Sequence, residues 1–595
     1  MKKILFYVEP HPIRNYFNEF MQPGLFFFEI ASQNNFLIQD WKIFSNSFVL
    51  DEMLDMLLDP EGVAQSNPDF PIGKRDSIQE RFIYPDEEDE STIRSLLKEW
   101  DENEILVRNN LVLGKGELSE YYESILNKIF QTYKFTHLVL WSENGAVRNF
   151  CQKNGISVIH MELGPTRLPF QETILIDPSG TNANASFCMT KYENLKGPID
   201  STLWMTDFSK KNNINVHELY LSLSSAVDVE NKSGATSIVT EREFLESKKT
   251  SLTDPLLKFL DNYVIVSLQL TDDLNTINHS DFRTPKEFLE YVCPRLLSLG
   301  YNILIKRHPG SPSRVFNLIK EVEAIEYAKN LSENIYILPM HMEQKDFLLL
   351  SKNSRALLSI NSSVCFESWI IGVPGLILGD AVFDVGGSIR TLSDDFINGG
   401  ALLADLTYVN KIKESISYSL NHYFIPRSSF VISEVLSRIV LSFNAKKNDD
   451  FVKWMHDEVD IFDILLNEKI KGVEKNLSNK PDIDFYKEIK NSSENNGYYH
   501  FNIDEFHLRN NEFILRGWAI AEKTEALVIF SELNGEIIFS EMVERADVKK
   551  HFPFAALNSG FDMRVQIKDK MRLVTGGRLF IYGSDKKCRY LEISM

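Results

Sequence analysis

Polar side chains follow an apolar run near the middle of the chain, and their types suit phosphate binding. Residues 356–360 are short and apolar enough for a buried strand, and the triplet Asn361, Ser362 and Ser363 follows directly. The helical rhythm of the next apolar positions makes Ser362 or Ser363 a helix N-cap. A helix N-terminus offers free N–H groups beside serine hydroxyls, and both donate to phosphate. The triplet predicts an anion site, although a serine that only caps its helix explains the pattern equally well.

A second apolar run ends in a basic turn. Residues 301–305 are followed by Lys306, Arg307 and His308, and then by a Pro-Gly turn. Ordinary exposed loop residues produce the same pattern. A site for a charged nucleotide needs donors and positive charge at strand ends, so we interpret these three residues as part of one binding site with the serine triplet.

Carboxylates occur at two other predicted strand ends. Gln269 follows the apolar run 263–268, and Asp272 and Asp273 come shortly after it. Glu162 lies beside a Gly-Pro turn, just after another predicted strand. Solvated loop acids are the common alternative. The carboxyl ends of strands are nevertheless where α/β enzymes hold their acids and bases, so we treat these carboxylates as candidate catalytic groups.

Alternating strand and helix patterns must position these residues. They predict an α/β fold of two Rossmann-like lobes with a cleft between them. The predicted strands of the two lobes are residues 3–8, 136–141, 156–159 and 171–177, then 263–268, 301–308, 335–338, 356–360 and 375–379. Neither lobe carries a G-x-G-x-x-G motif, so a dinucleotide cofactor is not indicated.

Local signals mark several helix boundaries. Thr284, Pro285 and Glu287 form a capping box that starts a helix. Gly372 and Pro374 end the helix that begins at the serine triplet. Residues 85–90 indicate a solvated loop or a helix start, and residues 409–445 and 451–470 indicate helices that close the second lobe.

Composition excludes several classes of protein. The 595 residues carry a formal net charge of -20 and are 43% hydrophobic, which supports two to four packed domains and argues against broad nucleic-acid binding. The five cysteines show no close pairing, and no apolar run approaches the ~20 residues of a membrane span. We therefore expect a cytoplasmic protein, with peripheral association at the inner membrane or with an assembly complex as an open alternative.

The last part of the chain has a different pattern. Residues 471–496 are rich in Lys, Asn, Ser and Glu, as a linker is, and short alternating strands follow. These strands are predicted at residues 513–520, 526–530, 536–539, 561–565 and 578–582. They indicate a small β-sandwich. The predicted domains are residues 1–215 for the first Rossmann-like lobe, 216–470 for the second with its closing helices, 471–500 for a linker and 501–595 for the sandwich, with the lobe boundary in the polar stretch 198–251.

Four segments together resemble the retaining β-Kdo transferases of bacterial capsule and O-antigen synthesis. The segments are residues 162–165 (ELGP), 269–273 (QLTDD), 306–309 (KRHP) and 361–367 (NSSVCFE) with 372–374 (GVP). The resemblance covers the two lobes, up to about residue 427, and does not cover the terminal strands. It implies a GT-B fold in which residues 1–215 form the acceptor lobe and residues 216–470 the donor lobe, with the sugar nucleotide CMP-Kdo as donor.

The resemblance also implies roles for individual residues. The acid after the glutamine-containing strand attacks the anomeric carbon and forms a covalent intermediate, and the spacing from Gln269 favours Asp273 over Asp272. Glu162 is then the acid/base facing the acceptor hydroxyl. The donor-binding residues implied are Gln269, Lys306, Arg307, His308, Asn361, Ser362, Ser363 and Glu367. Among them His308 and the serines hold the phosphate, Glu367 accepts from ribose hydroxyls, and Lys306 and Arg307 balance the phosphate or the sugar carboxylate.

Two other functions remain open at this point. One is a GT-B transferase that uses another nucleotide sugar, such as CMP-sialic acid. The other is a glycan-binding protein without catalysis. No metal or other cofactor is expected, because Kdo brings its own carboxylate and the sequence has no ligand cluster with metal-site spacing. The expected partners are the nucleotide-sugar donor and a polysaccharide or lipid-linked glycan acceptor.

Overall fold

The structure is a computed structural model, and its description covers most of the chain before residue 465. The described residues are 2–10, 21–58, 75–97, 100–168, 170–191, 195, 259–260, 262–313, 315–340, 342, 344–443, 450–461 and 464, with eight strands between residues 500 and 593. The predicted lobe boundary at 198–251 and the linker at 471–496 lie outside the described residues. Most of the chain up to Ile461 forms one compact unit, and the chain from Phe462 onward forms most of a second.

The first unit contains a seven-stranded sheet. Its strands before residue 200 are β1 Ile4–Tyr7, β2 Trp41–Phe44, β3 Phe82–Ile83, β4 His137–Trp141, β5 Ser157–Leu163 and β6 Thr173–Asp177. They are arranged as β6-β5-β4-β1-β2-β3, which is the strand order of a Rossmann fold. All neighbouring strands are parallel except β5 and β6, which are antiparallel.

Helices cover both faces of this sheet. They are α1 Gln22–Ala31, α2 Ser47–Leu58, α3 Arg75–Gln79, α4 Glu87–Leu96, α5 Trp100–Leu113, α6 Glu117–Tyr133, α7 Gly145–Asn154 and α8 Ser186–Met189. Successive residues of β1 face opposite sides, so Leu5 joins a core with α6 and α7 while Phe6 stacks on Phe27 of α1 at 5.1 Å. Both faces of β1 are therefore buried, which explains its continuous apolar sequence.

A second sheet of five strands follows in the same unit. The strands are β7 Tyr263–Ser267, β8 Asn302–Lys306, β9 Ile335–Ile337, β10 Leu357–Ser359 and β11 Gly375–Ile377. All neighbouring pairs are parallel, and the order is β11-β10-β7-β8-β9. This is again the Rossmann order, with the reversal between β7 and β10. The prediction of an α/β fold with two Rossmann-like sheets is confirmed.

Helices of the second sheet begin and end near the predicted signals. They are α9 Leu274–Asn278, α10 Pro285–Ser298, α11 Val315–Leu331, α12 Gln344–Lys352, α13 Ser363–Ile370, α14 Ser388–Ile397 and α15 Leu406–His422. Thr284 caps α10 by accepting the backbone N–H of Glu287 at 3.2 Å, as the capping box predicts. The acidic stretch at 85–90 is likewise a helix start, with Asp86 as the N-cap of α4.

After α15 the chain returns to the first sheet. The short strand β12, Ile425–Pro426, pairs antiparallel with β6. The helix α16, Ser429–Ser442, then packs against α1, and Ser433 Oγ donates to the carbonyl of Ile30 at 2.6 Å. The last described helix of this unit is α17, Phe451–Glu458. Helix α16 thus differs from the expectation that residues 409–445 close the second lobe, because it packs on α1 and β12 of the first sheet, whereas α15 contacts α13 of the second sheet.

The second unit consists of two antiparallel sheets of four strands each. One contains His500–Arg509, Glu512–Ile520, Gly560–Gln566 and Glu541–Val543, and the other contains Ile537–Phe539, Leu527–Glu532, Gly577–Tyr582 and Cys588–Ile593. Five of these strands fall where alternation predicts them. The packing of the two sheets into a sandwich stays a prediction. In the described part of the chain, no helix has both the length and the apolar character needed to cross a membrane.

Candidate active site

Three adjacent strands bring the predicted donor-binding residues to one edge of the second sheet. β10, β7 and β8 are parallel neighbours, with Leu357 beside Ile265 and Lys306 beside Ser267. The carboxyl ends of parallel strands lie at the same edge, so the loops that follow these strands are adjacent. The edge lies where the strand order reverses, and this is the crevice in which open α/β sheets bind ligands.

Gln269 and Asn361 join the loops after β7 and β10. Gln269 Nε2 donates to Asn361 Oδ1 at 2.8 Å, and the backbone N–H of Asn361 donates to Gln269 Oε1 at 2.8 Å. Asn361 Nδ2 also donates to the carbonyl of Asn275, which follows the two aspartates. Both amides are buried. They hold the loop of Asp272 and Asp273 against the start of α13. Direct contact of either amide with a donor stays a prediction.

The two adjacent aspartates differ in environment. Asp272 is buried, and its Oδ1 accepts from Asn317 Nδ2 at 2.8 Å. Asp273 is half-buried and caps α9, with Oδ1 accepting the backbone N–H of Asn275 at 2.9 Å. The side chain of Asp273 is therefore the more accessible carboxylate at the sheet edge.

Glu321 holds the basic turn after β8. Its carboxylate accepts from Arg307 Nε at 2.7 Å, from the backbone N–H of His308 at 3.0 Å and from Ser311 Oγ at 2.6 Å. The carboxylate is buried, with 2% of its side chain exposed. Arg307 is thus already paired with Glu321. To act also as the predicted counter-charge for phosphate, its guanidinium would have to pair with two anions.

The ring of His308 is oriented by its own turn. The backbone N–H of Gly310 donates to His308 Nδ1 at 3.0 Å. A nitrogen that accepts a hydrogen bond carries no proton, so the proton of the neutral ring is on Nε2. Nε2 is then a donor, which is the role that a phosphate oxygen requires.

Both loops rest on one helix that sequence reasoning did not single out. Asn317 and Glu321 lie four residues apart in α11, on the same helix face, and both are buried. Asn317 holds Asp272 and also accepts the backbone N–H of Thr271 at 2.9 Å. One turn of α11 therefore positions the loop of Asp272 and Asp273, and the next turn of the helix positions the basic turn after β8.

Replacing Glu321 by Gln is expected to weaken CMP binding and to destabilise the fold by about 2 kcal/mol, because three donors lose a buried carboxylate. Glu323→Gln is the matched control, since Glu323 lies on the same helix in an exposed ion pair with Lys320 and its loss should cost at most about 0.5 kcal/mol. Calorimetry with CMP and urea unfolding measure both effects. Equal behaviour of the two variants would contradict the positioning role.

The serine triplet starts α13 as predicted. Ser362 is the N-cap, and its Oγ accepts the backbone N–H of Val364 at 3.5 Å. Gly375 of β11 allows the helix to lie directly on the sheet, since a Cβ there would be 1.8 Å from the carbonyl oxygen of Cys365. Gly372 follows the helix with a positive φ of 85°, which confirms the predicted stop. Ser362 and Ser363 are half-buried at the same edge as His308.

Glu162 comes from the first sheet. It is the penultimate residue of β5 and lies opposite Leu175 of β6, so the strand is longer than predicted and Glu162 is within it, not in the loop beyond. Antiparallel pairing with β6 extends the strand. Burial raises the pKa of Glu162, while the N–H of Leu163 and the charge of Arg167 oppose this and the charge of Asp273 adds to it. The two candidate catalytic carboxylates thus act on each other electrostatically.

Glu367 links the first sheet to α13. Its Oε1 accepts the backbone N–H of Arg167 at 2.8 Å, and its Oε2 accepts from Gln344 Nε2 at 2.6 Å. Burial raises the pKa of Glu367 to about 7. Because both oxygens already accept hydrogen bonds, the observed role of Glu367 is to tie the loop after β5 to the serine helix. Its contact with a ribose stays a prediction.

Lys306 completes the edge. It is the last residue of β8, and its Nζ lies 4.9 Å from the centroid of the Phe347 ring. Burial lowers the pKa of Lys306, and the charges of Glu367 and Glu321 oppose that shift. The structure thus brings Lys306, His308, Ser362, Ser363 and Asp273 to one edge.

Comparisons with protein families cover both sheets. Residues 233–395 match the family model of capsule polysaccharide biosynthesis proteins, and residues 87–186 match that of the glycosyltransferase 99 family N-terminal domain. The first match contains Asp273 and His308, and the second contains Glu162. No curated protein matches the chain.

Several solved structures are similar at low identity. UDP-GlcNAc 2-epimerase of Methanocaldococcus jannaschii is 15% identical over 74% of this chain and 99% of its own, with a TM-score of 0.26. Thermosulfurimonas dismutans KpsC, a β-Kdo 2,4 transferase, is 14% identical over 43% of this chain and 73% of its own, with a TM-score of 0.23. Together, the two family matches support a glycosyltransferase of capsule polysaccharide synthesis.

Proposed function

We propose that the protein transfers Kdo from CMP-Kdo to a bacterial surface polysaccharide or glycolipid, with retention, through a covalent adduct on Asp273. The observation that carries the proposal is the edge of the second sheet where the loops after β7, β8 and β10 bring Asp273, His308 and Ser362 together. The charge of Asp273 also contributes to the raised pKa of Glu162 from the first sheet. The two Rossmann-like sheets suit a GT-B transferase, in which the reaction takes place between the lobes. The matches to the capsule and glycosyltransferase families support the reaction class.

The second sheet offers the donor site. In the proposal, His308 Nε2 and the hydroxyls and N–H groups at the start of α13 donate to the phosphate of CMP. Lys306 supplies positive charge beside them. Gln269, Asn361, Asn317 and Glu321 keep these loops in place through the contacts described above. No step of the proposal uses a metal ion.

The reaction has two displacements. In the first, a carboxylate oxygen of Asp273 bonds to the anomeric carbon, and the bond from that carbon to the phosphate oxygen breaks, so that CMP leaves with the electron pair. In the second, the acceptor hydroxyl oxygen attacks the same carbon, the bond to Asp273 breaks, and Glu162 takes the hydroxyl proton. Each step inverts the carbon, so the product retains the donor configuration. A raised pKa suits Glu162 for proton transfer near neutral pH.

Donor binding offers a direct check of the phosphate site. His308→Ala and Ser362→Ala are each expected to weaken CMP binding about 10- to 100-fold, because each removes a donor to a charged group. Ser298→Ala is the control, since this serine is exposed at the end of α10. Calorimetry with CMP measures the affinities. Unchanged affinity in both variants would show that Ser362 is only a helix cap and His308 only a loop residue.

Donor choice separates the proposal from its alternatives. The purified protein is incubated with CMP-Kdo, CMP-sialic acid or UDP sugars and candidate acceptors, and products are identified by mass spectrometry. We expect CMP release and product from CMP-Kdo. Turnover only with another donor would favour a different GT-B transferase, and glycan binding without turnover of any donor would favour the non-catalytic alternative.

A further inference from the structure

Arg167 presents a cation beside the candidate acid/base. It lies in the loop after β5, and its Nη1 donates to two backbone oxygens, those of Gly164 and Thr166. Its backbone N–H is held by Glu367. Within the described part of the chain, the guanidinium makes no ion pair, so hydrogen-bonding capacity remains on its other nitrogens.

The side chain of Arg167 combines partial burial with unused N–H groups. It is half-buried, and burial lowers the pKa of Arg167 while the charges of Glu367, Glu162 and Glu172 oppose that shift. None of these carboxylates forms an ion pair with it. Within the described residues only Nη1 donates, to two backbone oxygens, and the planar N–H groups of a guanidinium match a carboxylate.

The other two cations of the site already contact protein groups. Arg307 is paired with Glu321. Lys306 lies over Phe347, and the charges of Glu367 and Glu321 act on it. The charge of Glu162 acts on Arg167, and the charge of Asp273 acts on Glu162. Of these three cations, Arg167 is therefore the one associated with both candidate catalytic carboxylates.

We propose that the guanidinium of Arg167 binds the carboxylate of the donor sugar, held in place by Gly164, Thr166 and Glu367. The inference rests on the proposed function, because a 2-ulosonic acid donor carries its carboxylate on the anomeric carbon that reacts. A cation that binds this carboxylate positions the reacting carbon between Asp273 and Glu162. It also excludes neutral sugars, which would leave the guanidinium desolvated and unpaired.

The test compares binding of two ligands, CMP and CMP-Kdo, by calorimetry, and every protein in it also carries Asp273→Asn so that the donor cannot form the covalent adduct. The reference protein, with Arg167 unchanged, should bind CMP-Kdo more tightly than CMP. Arg167→Gln should lose about 10- to 100-fold in affinity for CMP-Kdo and little for CMP, and Arg167→Lys should recover part of the loss. Unchanged CMP affinity also shows that the variant is folded. Arg427→Gln is the control, because Arg427 is a nearby cation paired with Glu172 and should leave both affinities unchanged.

The outcomes separate two failures. If the reference protein binds CMP-Kdo no more tightly than CMP and the wild-type protein does not turn CMP-Kdo over, the proposed function fails and this inference with it. If the reference protein prefers CMP-Kdo but Arg167→Gln keeps that preference, only the inference is overturned. Equal loss of CMP and CMP-Kdo affinity in Arg167→Gln would also overturn it, since Arg167 would then act on the nucleotide or on the fold.

Discussion

Asp273→Asn is expected to abolish transfer while the protein stays folded. The substitution keeps the size of the side chain and the amide oxygen can still cap α9, but the nucleophilic charge is gone. Loss of a covalent nucleophile lowers kcat by factors on the order of 10^4 or more. The measurement is the initial rate of CMP release from CMP-Kdo, with circular dichroism to confirm folding.

Asp272→Asn is the matched variant. Asp272 is buried against Asn317, so its substitution should perturb the loop and lower stability by about 1–3 kcal/mol, but should leave measurable transfer. Near-normal activity in Asp273→Asn together with loss in Asp272→Asn would reverse the assignment of the nucleophile.

Glu162→Gln is expected to lower transfer about 10²- to 10⁴-fold, which is the usual contribution of a general acid or base. The wild-type rate should also fall as the pH is lowered through the pKa of Glu162, because the protonated carboxyl cannot accept the acceptor's proton. Burial raises this pKa above its ordinary value of 4.5, so the fall should begin at a higher pH than for an exposed glutamate. In Glu162→Gln that acidic limb should be absent.

The control for this prediction is Glu172→Gln. Glu172 lies at the start of the neighbouring strand in a partly exposed ion pair with Arg427, and it touches none of the proposed reacting groups. Its rate and pH profile should match those of the wild type. An acidic limb that persists unchanged in Glu162→Gln would exclude Glu162 as the group that titrates.

Local patterns predicted the strands and helix ends well. The serine start of α13, its stop at Gly372 and the cap at Thr284 depend on short-range rules of hydrogen bonding and backbone conformation, which the sequence carries directly. The meeting of the strand ends after β7, β8 and β10 also followed, because parallel strands align their carboxyl ends.

The support of the site by α11 could not be predicted in this way. Helical periodicity places polar residues toward solvent, yet Asn317 and Glu321 are buried while Val315 and Ile319 are 74% and 52% exposed. The polar face lies inside because Asn317 and Glu321 form hydrogen bonds with two loops that are distant from each other in sequence. The only signal available was the spacing of four residues between two long polar side chains.

Contacts between segments that are distant in sequence were equally hard to predict. The pairing of β12 with β6 joins residues about 250 positions apart, and the packing of α16 on α1 joins residues about 400 positions apart. The sequence of α16 shows an apolar face but does not identify the surface that covers it. Arg167 was missed for the same reason, since its role as a cation depends on Glu162 in β5 and Glu367 in α13.

Intact-protein mass spectrometry of Glu162→Gln incubated with CMP-Kdo tests the central claim most directly. Loss of the base slows the second displacement, so the sugar should remain attached, and peptide mapping should place one Kdo unit on Asp273. The double variant Asp273→Asn with Glu162→Gln should carry none. An unmodified protein that still releases CMP, or an adduct on any other residue, would contradict the account.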